Sequence, residues 1–167
     1  MASRKASALD FKPGGTGPLD IVYAPSGSLP YKEYIQDLPV AQVLMFALSD
    51  ETTELTTGTK LTARVPFECT LKAVRASVNG ASSSGDVVID INESLGSGGA
   101  SLLSTKLRVD QDTESSLASA TPAVISDPDL ADDAELTFDV DEAGTGVTGL
   151  KVYLYVSPTK SILPTAS

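Results

Sequence analysis

The sequence predicts an all-β fold, an antiparallel β-sandwich of jelly-roll type with an extended N-terminal arm, and three observations lead there. From residue 41 onward about eight or nine short segments alternate apolar with polar residues, clusters of turn residues separate them, and no segment of helical period lies between them. A strand with one apolar face must bury it, and two sheets of such strands bury each other. The first 40 residues break the pattern: they hold five of the ten prolines (Pro13, Pro18, Pro25, Pro30, Pro39) and the run PGGTGP, a density that no sheet interior tolerates. Residues 1–40 are therefore expected to be the arm and residues 41–167 the sandwich domain. A length of 167 residues suits one domain of ordinary size with a tail.

The arm is not a plain solvated linker. Phe11, Ile21, Val22, Tyr23, Tyr31 and Tyr34 punctuate it, with Leu9, Leu19, Leu29 and Ile35 between them, and three of the five tyrosines of the chain lie here. Apolar and aromatic anchors along a proline-rich segment suit a chain that lies in a groove on another surface. Between Pro30 and Pro39, YKEYIQDL places Tyr31, Tyr34, Ile35 and Leu38 at helical spacing, which fits a two-turn helix.

The strands then follow in order. VLMFAL (43–48) is a continuous apolar run, while LTARVPF (61–67) points Leu61, Ala63, Val65 and Phe67 inward against Thr62 and Arg64. LKAVRASV (71–78) alternates in its second half, with Val74, Ala76 and Val78 opposite Arg75 and Ser77, and NGASSSGD supplies the next turn. DVVIDINE (86–93) sets Val87, Ile89 and Ile91 against Asp86, Asp90 and Asn92; the glycine-rich SLGSGGA after it reads as a hairpin loop. LLSTKLRV (102–109) alternates throughout, TESSLAS (113–119) is a weak strand and PAVIS (122–126) a short one. ELTFDVD (135–141) turns Leu136, Phe138 and Val140 inward. Last, LKVYLYV (150–156) buries Leu150, Val152, Leu154 and Val156 and leaves Tyr153 and Tyr155 on the outer face with Lys151. An aromatic pair on an outer sheet face marks a covered surface, so an arm or a neighbouring subunit is expected over Tyr153 and Tyr155.

Composition narrows the function. The 22 acids against 12 bases give a net charge of -10, which opposes binding to nucleic acid, where affinity comes from lysine and arginine. The arm carries four bases and four acids, so the whole excess sits on residues 41–167, with eight bases against eighteen acids. Histidine is absent, which removes the usual general base, its nucleophile pairs and the commonest zinc ligand. One cysteine, Cys69, excludes an intrachain disulfide and reads as a small buried hydrophobe. No apolar run approaches the roughly 20 residues of a membrane span, and the opening MASRKASALDF has no signal-peptide core, so no membrane partner is expected.

Few residues suggest chemistry. Asp127, Asp129, Asp132, Asp133, Asp139, Asp141 and Glu142 form an acidic stretch whose oxygens could bind calcium, yet its spacing misses the EF-hand loop, and a solvated loop capped by aspartates is the simpler reading. Paired carboxylates also suit a glycosidase, but the chain has no tryptophan and few aromatics to form a sugar platform. GSGGAS (96–101) lacks the lysine of a phosphate loop. The expectation is a non-enzyme without cofactor or metal.

SDETTELTTGTKLTARVPFECTLKAVRASVNG, VVIDINESL, LLSTKLRVD, ATPAVISDPDLADDAELTFDVDEAGTG and GLKVYLYV together resemble a small β-sandwich module of virion structural proteins of tailed bacteriophages. The resemblance spans about residues 49–156 and excludes the arm. It implies no catalytic residues. With the short length and the anchored arm, it leads to the expectation of a capsid decoration (cement) protein on the outside of the phage head, made in the host cytoplasm, with the major capsid protein and further copies of itself as partners; the outer-face aromatics favour a homo-oligomer, a trimer over a dimer. Modules of this kind also occur in fibres, so the alternative is a fibre or tail adsorption module that binds a cell-surface glycan. A third reading is a carbohydrate-binding or glycan-cleaving protein outside any virion.

Overall fold

The computed structural model describes residues 41–94 and 99–159. The expected arm, its anchors Phe11, Ile21, Val22, Tyr23, Tyr31 and Tyr34, its short helix, and the centre of the glycine-rich loop at 95–98 lie outside the described residues. Eleven strands are present among the described residues: β1 (Gln42–Ala47), β2 (Gly58–Arg64), β3 (Cys69–Ser77), β4 (Val87–Ser94), β5 (Ala100–Ser101), β6 (Leu103–Thr105), β7 (Leu107–Val109), β8 (Val124–Ile125), β9 (Asp129–Leu130), β10 (Glu135–Ala143) and β11 (Lys151–Pro158). All pairings are antiparallel, and no α-helix occurs among the described residues.

Two sheets make up most of the domain. One runs in the order β1-β11-β3-β9, the other β2-β10-β4-β5 with β7 also on β4, and β6 pairs with β8 in a small third ladder. The inward rows expected from the alternation meet in one buried cluster: Val65, Ala76, Ile89, Ile91, Leu136, Phe138, Leu154 and Val156 all belong to it. Phe138 is its largest side chain and stacks tilted on Phe46, the ring centres 4.8 Å apart. The scarcity of aromatics is thus met by aliphatic packing around one phenylalanine pair.

Several elements differ from the sequence expectation. TESSLAS is not a strand: Ser116–Ala118 form a 3-10 turn whose N-cap Ser115 accepts from the Leu117 amide. Serine competes for nearby backbone donors, which favours caps over ladders. LLSTKLRV is not one strand. It breaks into β6 and β7: β7, like β5 just before the segment, pairs with β4, while β6 swings out to β8. That excursion buries Leu102 and Leu103 together, which strict alternation forbids. β9 lies inside the acidic stretch, held to Cys69 and Thr70 of β3. VLMFAL, for all its continuous apolarity, alternates in space: Leu44 and Phe46 pack on the core while Val43 and Met45 face outward.

In β3 the alternation fails between Leu71 and Val74 because the strand is bulged there, Tyr155 pairing with Ala73 and Val156 with Leu71 so that Lys72 is extra. At the other end, Gly149 leads into β11 with φ +64°, and a Cβ there would sit 2.6 Å from the Asn79 side chain, so only glycine fits.

Candidate interaction surface

Cys69 is 1% exposed, and burial pushes its thiol up from the ordinary value. Among the described residues no three acidic or thiol side chains converge as a metal site. The acidic stretch is divided by its own strands: Asp129 goes to β9, Asp133 to a turn beside Arg64, and Asp139 and Asp141 to the outer face of β10. No helix among the described residues is long and apolar enough to cross a membrane. What the fold does build is two contrasting outer faces.

On the outer face of β2, β10 and β4, Asp139 stands directly opposite Asp90 across the ladder. Like charges in register repel; a cation pairs with Asp90, and neutral donors hold Asp139. Lys106, carried over the face by the junction between β6 and β7, reaches Asp90 at 3.0 Å and Asp141 at 2.6 Å. These bonds, that to Asp141 first, hold the Lys106 ammonium well above its ordinary range. Asp90 also accepts from Ser101 Oγ at 2.6 Å. Asp139 accepts from Thr59 Oγ1 and, at 2.9 Å, from Asn92 Nδ2. Further out, Arg64 pairs with Asp133 and Glu135, and Arg108 with Asp86. This face answers its own charges.

The outer face of β1, β11 and β3 is different. The register places Val43 beside Tyr155, Met45 beside Tyr153, Tyr155 beside Ala73 and Tyr153 beside Arg75. Tyr153 and Tyr155 therefore stand where the alternation put them, joined by two apolar side chains that the sequence reading left unassigned; Met45 is 61% exposed. The Tyr153 hydroxyl lies 3.2 Å from Ser77 Oγ, and the Arg75 guanidinium lies 5.1 Å from the centre of the Tyr155 ring. Both tyrosines are half-buried. The signal for Val43 and Met45 was present in the sequence only as an unbroken apolar run, which suits a two-sided buried strand equally well.

A further feature lies beside β3. A groove of about 610 Å³ runs between residues 72–75 of β3 and the segment holding the 3-10 turn and β8. Leu117, 68% exposed, and Val124 line it, and Lys72, Arg75 and Arg108 supply positive charge.

Comparison with protein families, with curated proteins and with solved structures finds no match for the chain.

Proposed function

We propose that this protein is a capsid decoration protein of a tailed bacteriophage: a jelly-roll sandwich that sits as a homo-oligomer, with a trimer favoured, on the outside of the head, with residues 1–40 as the arm reaching across shell subunits. The observation that carries the binding role is the platform of Val43, Met45, Tyr153 and Tyr155. A soluble monomer scatters its exposed apolar residues, whereas a contiguous aromatic and aliphatic patch marks a protein-binding surface. The virion assignment is supported by the resemblance over residues 49–156.

The jelly-roll reading is supported by the strand order. If β5 and β7, which share β4, count as one interrupted strand and the β6–β8 ladder is set aside, the two sheets read 1-8-3-6 and 2-7-4-5 in chain order. That order follows when a long hairpin of eight strands is rolled up so that successive strands fall on opposite sheets.

Charge fits the same role. The excess of acids on residues 41–167 repels nucleic acid, so the body projects away from the packaged genome, and attachment rests on apolar contacts. The test is stoichiometry: quantitative mass spectrometry of purified particles is expected to find hundreds of copies per virion. A few to a few tens would replace the head with a fibre or tail location.

A further inference from the structure

We infer that Lys151 and Asn79 become joined by an isopeptide bond, formed by the chain itself with the Glu51 carboxylate as the proton carrier.

Three segments converge at the start of β11, and backbone contacts hold each of them there. Lys151 opens β11, set between Ala47 of β1 and Ser77 of β3. Asn79 lies just past β3; its amide donates to the Thr148 carbonyl at 2.9 Å, and Gly80 bridges back to Thr148. Glu51 belongs to the turn after β1. That turn is tied to the same place, because the Gly149 amide donates to the Asp50 carbonyl at 2.9 Å and the Leu150 amide to Ser49 Oγ at 2.9 Å. Within the turn Asp50 accepts from the Thr53 and Thr52 amides, and these bonds hold its carboxyl down at about 2.

The side chains meet on this frame. Lys151 Nζ lies 2.7 Å from Glu51 Oε1, 3.3 Å from Asn79 Oδ1 and 3.3 Å from the Gly149 carbonyl oxygen. The other Glu51 oxygen turns toward the Asn79 amide nitrogen: a Cβ on Gly149 would sit 2.7 Å from Asn79 Nδ2 and 2.8 Å from Glu51 Oε2, so both atoms border the space that the missing side chain leaves. The glycine that the turn requires thus also makes room for the carboxamide and the carboxylate. Lys151 and Glu51 alone would be an ordinary ion pair, worth little at a surface. Asn79 changes the chemistry, because an amine, a carboxamide carbon and a carboxylate able to move a proton between them are a nucleophile, an electrophile and a general base.

The step balances without any other reactant. The Lys151 ammonium passes one proton to Glu51, and the freed electron pair of Nζ attacks Asn79 Cγ, one bond beyond the oxygen that Nζ already contacts. The Nζ–Cγ bond forms and the carbonyl electrons move to Oδ1. As the carbonyl re-forms, the Cγ–Nδ2 bond breaks; Nδ2 departs as ammonia carrying the Glu51 proton and takes up the second proton that Nζ sheds. An ammonium and a carboxamide have become a secondary amide and an ammonium ion, and Glu51 is a carboxylate again. Contact between the groups takes the place of a second protein. Asn79 is exposed, so the ammonium ion enters solvent directly. The bond ties the end of β3 to the start of β11, its neighbour in the sheet, in a chain whose single cysteine excludes an intrachain disulfide.

The test is mass spectrometry of the purified full chain. The expected intact mass is short by one ammonia, and trypsin should yield a branched product in which residues 76–106 are attached to residues 109–160, uncut at Lys151. Lys151→Arg keeps a cation for Glu51 but removes the nucleophile, and Asn79→Ala removes the electrophile; both should retain the full mass. In Glu51→Gln the linked fraction, sampled from the start of expression, should rise about a hundred-fold more slowly. Circular dichroism matching the parent establishes that each variant is folded. A parent chain that loses no ammonia even after prolonged incubation would overturn the bond. Ammonia loss with normal cleavage at Lys151 would overturn it too, in favour of a succinimide formed by Asn79 on the Gly80 amide. Linkage at the parental rate in Glu51→Gln would overturn the role of Glu51.

Discussion

On the outer face of β2, β10 and β4, the Lys106 cation pairs with Asp90 and hydrogen bonds from Asn92 and Thr59 hold the opposed Asp139, while on the outer face of β1, β11 and β3 two half-buried tyrosines stand beside Val43 and Met45, with Ser77 and Arg75 among their polar neighbours. Both faces obey the same period of two, and both back onto the same core. The difference teaches that alternation assigns a side chain to a face but not to an environment. The first face spends its polar groups on one another and can stand in water. The second leaves Val43 and Met45 exposed beside the two tyrosines.

Four variants test that contrast. Phe138→Ala should produce the largest effect, because the ring packs against Phe46 from the other sheet: a loss of about 3–5 kcal/mol, with both sheets melting in one transition by denaturant titration. Separate transitions would show that the sheets do not share one core. Lys106→Met should come next. It leaves Asp90 opposite Asp139 without its cation, and, with Lys106 itself partly exposed and screened, a cost of about 1 kcal/mol at neutral pH is expected. Because partners raise the Lys106 pKa above its ordinary 10.5, its contribution is fully present below that value and is lost only as pH rises through the folded value. The gap between parent and variant should therefore stay constant from pH 6 to 9.

Glu93 gives the opposite slope. It ends the inward row of β4, is only 4% exposed, and burial first, then Asp127, push its carboxyl up from 4.5 against the lowering effect of the Ala131 amide. A raised carboxyl pKa means that the native state binds the proton more tightly, so this site costs stability as pH rises above 4.5 through the folded value. Glu93→Gln should gain on the parent between pH 4.5 and 7, measured as the difference between their unfolding curves. A constant difference over that range would remove the site from the account. The smallest stability effect belongs to the uncovered face: Val43→Thr with Met45→Ser should change unfolding free energy by less than about 0.5 kcal/mol while lowering the oligomer fraction in analytical ultracentrifugation. A large loss of stability with an unchanged oligomer would mean that these side chains serve the domain itself.

The long strands were legible from residue types alone, because burial on one face imposes a period of two that survives in the text: LKVYLYV put Tyr153 and Tyr155 outward and Leu154 and Val156 into the core, as the structure has them. Cys69 as a buried hydrophobe and the antiparallel pairing of strands on either side of the glycine-rich loop were legible for the same reason. The short pieces were not. A two-residue strand such as β9 carries no periodicity, and it forms only because β3 offers it an edge. The break in LLSTKLRV likewise depends on β8, twenty residues away, competing with β4 for the middle of the strand.

The sequence by itself determined the all-β class, the inward rows of the long strands, the absence of histidine chemistry and the concentration of negative charge beyond residue 40, since each is a property of residue identity and local spacing. Tertiary structure alone decided that Lys106 bridges Asp90 and Asp141, that Val43 and Met45 join the two tyrosines, and that, among the described residues, no strand pairs with β3 at Val74 on the edge away from β11. These depend on pairing register and on a bulge, which are settled by competition between distant segments for the same backbone edge and are not written at any one position in the chain.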